Sequence, residues 1–85
     1  MNNSPDGIKV TERFFEAISM LTAQKTIRGL GTFTRAYGLN RWNMVTIRDN
    51  KETAWLKPEY LTYLVRDYNV SAEWLLTGRG GMFKK

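Results

Sequence analysis

Apolar residues in this chain recur at intervals of three and four, and nowhere do they alternate with period two for long enough to make a strand. Phe14, Phe15, Ile18 and Leu21 follow one helical stripe, and Leu61, Leu64, Val65 and Tyr68 follow another. Between and after them lie shorter runs. Gly31 to Tyr37 carries Phe33 and Tyr37 at i, i+4; Arg41 to about Asp49 carries Met44 and Ile47 on one face; and a last run carries Trp74 and Leu75. Stop and start signals separate them. Thr11 reads as the N-cap of the first helix, with Glu12 in its first turn and Val10 placed to staple onto Phe15. Gly38 closes the second run, Asn40 caps the third, Pro58 opens the fourth, Asn69 ends it, Ser71 caps the fifth and Gly78 closes that one. The spacing predicts an all-α fold, a small bundle of about five helices. Residues 1–10 are expected to be a flexible N-terminal segment ahead of a single domain at 11–83, and Lys84 and Lys85 a frayed tail.

What the 85 residues lack excludes several chemistries. With no Cys and no His, the chain has no disulfide, no thiolate zinc site, no thiol nucleophile and no imidazole base. No pair of titratable groups converges at a defensible spacing, so no enzyme, no cofactor, no metal and no small-molecule substrate are expected. No apolar run approaches the ~18 residues of a membrane span, and the N-terminus lacks a signal-peptide stretch, which leaves the cytoplasm as the expected compartment.

The charge is placed rather than spread. Of 13 basic residues, six (Lys25, Arg28, Arg35, Arg41, Arg48, Lys51) lie between positions 25 and 51 with a single acid, Asp49; the other seven bases are matched by seven acids. The whole net charge of +5 therefore sits in one segment, the footprint expected for a polyanionic partner. A basic but merely solvated surface is the plain alternative.

Two short helices joined by a tight turn beginning with Gly make a helix-turn-helix, and Gly38-Leu39-Asn40 supplies that turn, with Leu39 as an apolar plug. At 100° per residue, the face opposite Met44 and Ile47 consists of Trp42, Val45, Thr46 and Asp49, with Arg41 on its flank. Residues in the first turn of such a helix reach deepest into a major groove.

The run Thr32 to Arg48 (TFTRAYGLNRWNMVTIR), together with Pro58 onward to the ending Val-Ser-Ala-Glu-Trp-Leu-Leu-Thr-Gly78, resembles lambda-type phage repressor DNA-binding domains. The resemblance covers about Thr11 to Phe83. It implies a lambda-repressor-like helix-turn-helix that binds double-stranded DNA sequence-specifically as a transcriptional regulator, with the 41–49 helix in the major groove. Gly38 matches the family's turn glycine, Leu39 its apolar turn residue, Asn40 its cap, and Met44 and Ile47 its buried recognition-helix positions. Arg41, Trp42 and Thr46 fall where such proteins touch bases. Thr34 stands where the family prefers Ala, Leu30 where it often has a backbone-gripping Gln, and Arg48 where Glu is common. A self-cleaving peptidase domain is not expected, because the chain ends at Lys85.

The expected base contacts are Arg41 (reading guanine or gripping a phosphate), Trp42 (on a thymine methyl, or folded over Val45), Val45 and Thr46. The expected phosphate contacts are Lys25, Arg28, Arg35, Asn40, Arg48 and Lys51. One such module covers few base pairs, so a homodimer on DNA is expected, with half-sites about 34 Å apart. The rival reading is a protein-protein interaction module with an apolar patch around Trp42, Val45 and Trp55. Trp55 and Leu56, in the loop before Pro58, either pack inward or meet a partner.

Overall fold

A computed structural model describes residues 2–85. Among them the chain forms five α-helices and no strand: α1 (Pro5–Ala23), α2 (Leu30–Ala36), α3 (Arg41–Asp49), α4 (Pro58–Asp67) and α5 (Ala72–Thr77). The all-α class and the helix count agree with the periodicity.

The start of α1 does not. Ser4, not Thr11, is the N-cap, its Oγ accepting from the Gly7 amide at 3.1 Å, with Pro5 at the first helical position and Asp6 in the first turn. Ser-Pro-Asp is itself a complete start signal, and it outcompetes the later Thr11. Thr11 instead lies buried inside the helix and donates its hydroxyl to the Gly7 carbonyl at 3.2 Å. The segment 1–10, expected to be flexible, is therefore helical from Pro5 onward. It is also tied down: Asn3 donates from Nδ2 to the carbonyls of Lys51 (2.8 Å) and Ala54 (2.7 Å), and its amide donates to Glu52.

The core is organised on α1, whose Phe14, Ala17, Ile18 and Leu21 are all but sealed from solvent. The Phe14 ring meets Phe15 edge-on (centroids 5.0 Å apart) and Phe33 of α2 at 5.7 Å; such geometry adds to the area the rings bury. Met44 and Ile47 bring α3 onto the same core, and Leu64, Val70, Trp74 and Leu75 close it from the C-terminal side. On α4 the buried pair is Tyr60 and Leu64, while Leu61, Val65 and Tyr68 are half-buried. The stripe expected from the sequence does pack on the core; Tyr60, which it did not include, is buried with it because the tyrosines of α4 are drawn toward Phe14 and Phe33.

The connection from α2 to α3 runs through Gly38 at φ +65°, a left-handed conformation that Gly adopts without steric cost. The Leu39 amide then donates to Thr34 O at 2.8 Å, and Leu39 packs against the core. Tyr37, at the end of α2, stacks flat on Tyr63 of α4 (4.0 Å, 2°) and donates its hydroxyl to Asp67 at 2.6 Å; Arg66 pairs with the same carboxylate at 2.9 Å. This latch fixes the α2–α3 connection against α4. Burial, and then the bond to Asp67, raises the Tyr37 phenol above its usual value. Arg66 and then Tyr37 hold Asp67 down at about 2.

After α5 the chain turns at Gly78 (φ +76°) and returns to make an isolated antiparallel bridge between Val70 and Phe83. Lys84, expected to fray, donates its amide to Asn69 O at 2.9 Å and its ammonium to Val65 O at 3.0 Å.

Two outcomes are expected. Phe14→Ala should lower the unfolding free energy by about 3–5 kcal/mol, read from urea denaturation, with Phe14→Leu much milder. The Asp67 contribution is present in full above its unfolded pKa of 3.8 and is lost as pH falls toward about 2. The melting-temperature gap between the parent protein and Asp67→Asn should therefore close across that window in acid.

Candidate nucleic-acid interface

Nine residues make α3, about 13 Å of rod, with the bounds the sequence implied. Asn40 sets its first turn: the side-chain oxygen accepts from the amides of Trp42 (2.9 Å) and Asn43 (3.2 Å). The Asn40 carbonyl is thus committed to the cap, and only its Nδ2 is left to meet an anion. Met44 (0% exposed) and Ile47 (6%) bury the inner side. On the outer side Trp42 is 76% exposed, and Arg41, Thr46 and Asp49 are exposed as well. An indole so open to solvent is not folded down over Val45, which is itself half-buried.

Three concavities flank the rod. The largest, about 500 Å³, lies where α2 begins beside the start of α3 and is lined by Arg28, Gly29, Gly31, Thr32, Arg35 and Arg41, among others. The second, about 280 Å³, lies where α1 meets α2 and has Arg48 beside Phe15, Thr22 and Leu30. The third, about 190 Å³, lies between α3 and the following loop, with Asn43, Thr46, Trp55 and Lys57 in its wall.

The structure therefore sorts the ten sequence-derived site residues. Arg28, Arg35 and Arg41 come together. Trp42 and Thr46 share the open face, with Val45 at its half-buried edge. Arg48 stands apart and pairs with Asp49 at 3.3 Å, so part of its charge is neutralised at home. Lys25, exposed at φ +63° just after α1, and half-buried Lys51, beyond the far end of α3, border none of these concavities. Asn43 and Lys57 were missed. Asn43 lies just outside the outward arc on the helical wheel, three residues before Thr46 on the same helix, and Lys57 lies beyond the basic segment; the fold of the loop brings Lys57 beside them.

The three departures from the resembling family each have a local structural account. Thr34 is buried with its hydroxyl satisfied by Gly31 O at 3.0 Å. Leu30 packs against the core. Arg48 finds Asp49. In the loop after α3, Leu56 packs inward and Trp55 stands 78% exposed.

Among the described residues, no group of three or more His, Cys, Asp or Glu side chains could hold a metal ion, and no helix is long and apolar enough to cross a membrane. No protein-family model, curated protein or solved structure matches the chain.

Asn40→Ala should cost about 1 kcal/mol of stability by uncapping α3, whereas Asn40→Asp should retain most of it; urea denaturation of the two variants makes the comparison.

Proposed function

We propose that the protein binds double-stranded DNA sequence-specifically and acts as a transcriptional regulator. In this reading α2 and α3 form a helix-turn-helix of the lambda-repressor-like kind, with α3 in the major groove. The observation that carries the reading is the open outer face of α3, capped at its N-terminus and flanked there by basic side chains that have no carboxylate partner. The ion pairs among the described residues are Arg48–Asp49 and Arg66–Asp67, so Lys25, Arg28, Arg35, Arg41 and Lys51 keep their charge for an external anion. The positive end of the helix dipole adds to the attraction for phosphates.

Trp42 and Thr46 face base edges, the indole against a thymine methyl and the hydroxyl as donor or acceptor, with Val45 beside them. Lys25, Arg28, Arg35, Asn40, Arg48 and Lys51 meet the sugar-phosphate strands. Asp49, at the far end and held by Arg48, stays clear of the polyanion. Two copies bind adjacent half-sites as a homodimer on the DNA.

Selection of bound sequences from random duplex at physiological salt tests this reading. The expected product is a two-fold-symmetric site with half-sites about 34 Å apart; recovery of unenriched sequence would overturn it. The log of the binding constant should fall with log salt by about 0.9 per neutralised phosphate, and Arg35→Gln should reduce that slope by up to one such step. Arg48→Gln should reduce it less, because Asp49 already shares the charge.

A second reading is favoured by the two open indoles, Trp42 and Trp55: docking of the apolar surface on another protein. Binding of that kind is nearly indifferent to salt, so the same titration separates the two.

A further inference from the structure

We propose that Arg28, Arg35 and Arg41 form a cradle for a single phosphate group, and that Arg41 belongs to this cradle and not to the base-reading face of α3. On the function proposed above, the occupant is one phosphodiester of the DNA backbone, and the assignment rests on that reading.

Four observations converge on it. First, all three arginines line the same 500 Å³ concavity, and no acidic residue does. Second, the side chain of Arg41 runs back toward α2: a Cβ placed on Gly31 would sit 4.0 Å from Arg41 Nε. Its guanidinium is thereby carried away from Trp42, which stands 100° further round the helix, and from Thr46. Third, none of the three has an ion-pair partner among the described residues. Three like charges around one volume repel one another until an anion enters, and a tetrahedral phosphate offers oxygens to several guanidinium forks at once. Fourth, two glycines lie in the wall between the arginines, beside Leu30, Thr32, Thr34 and Leu39. Gly29 and Gly31 present no side chain, and a Cβ on Gly29 would meet nothing within 4 Å. The rim is braced as well, because Arg28 donates its amide to Thr32 Oγ1 at 3.2 Å.

The consequence is a division of labour. The cradle sets where α3 sits along the strand, and sequence discrimination falls to Trp42 and Thr46 without an arginine–guanine pair from position 41.

The test uses the full chain and fluorescence anisotropy on a selected duplex, on a scrambled duplex of the same length, and on the selected duplex carrying one neutral methylphosphonate at each backbone position in turn. Arg28→Gln, Arg35→Gln and Arg41→Gln should each weaken the selected and scrambled duplexes by the same factor, on the order of tenfold. One methylphosphonate position per half-site should cost the parent protein more than any single substitution does, and the same position should cost each of the three variants clearly less than it costs the parent. A loss confined to the selected duplex in Arg41→Gln would overturn the proposal, as would three variants that couple to three different phosphates. The side chains are exposed, and unchanged melting temperatures would establish that the variants fold.

A second arm separates the cradle from the DNA reading. Inorganic phosphate is titrated while the arginine Nε–Hε signals are followed by NMR. If the parent protein binds no duplex at any salt, the DNA reading fails. A joint shift of the three signals that vanishes in Arg35→Gln would then support a cradle for a free phosphate ligand, and no shift would overturn the cradle.

Discussion

The edge-on meeting of Phe14 and Phe33, 5.7 Å apart, fixes where α2 stands on α1. The outer face of α3 depends on that contact through the turn, and on the direct packing of α3 against α1. Phe33 is wholly buried and also lies near Tyr37, Tyr63 and Tyr68, so α2 is gripped from both sides. From there only a left-handed glycine and a plugging leucine separate it from α3. A rod nine residues long is too short to hold its own shape in water. Its rigidity is borrowed from the aromatic cluster through the turn, from the Asn40 cap, and from Met44 and Ile47 beneath it.

The electrostatics follow from the same placement. The basic segment identified by counting charges is not a uniform surface once folded. The pairing of Arg48 with Asp49 draws one charge out of it, Lys25 and Lys51 stand apart from the others, and the fold gathers three arginines where α2 begins beside α3. Exposed ion pairs contribute little to stability. The unpaired arginines matter because of what they leave available to a ligand, and not because of what they hold together within the domain.

Much of this was legible in the sequence where a local signal had no competitor. Gly38, Asn40, Pro58, Ser71 and Gly78 each have one dominant backbone preference, and α3 and α5 begin at the caps those residues imply. Reading failed where two local signals competed or where tertiary packing decided. Ser4 and Thr11 are both acceptable caps, and Pro5 with Asp6 settles the contest in favour of the earlier one. Leu61 and Tyr60 are both suited to burial, and the ring surface of Phe14 favours the tyrosine. Helical angles placed Arg41 on the flank of the outer face, but they carry no information about the direction of a long side chain; its approach to Gly31 depends on how α2 crosses α3.

Asn3 shows what those ambiguities mean for the boundary of the domain. Its carboxamide reaches both Lys51 and Ala54 and works as a splint, joining the entry of the chain to the stretch that leaves the probing rod. A version trimmed to Thr11, where periodicity alone would cut, would keep every large core side chain. It would nonetheless lose α1's cap and the splint together, and the slackened stretch would carry Trp55 and Lys57 with it.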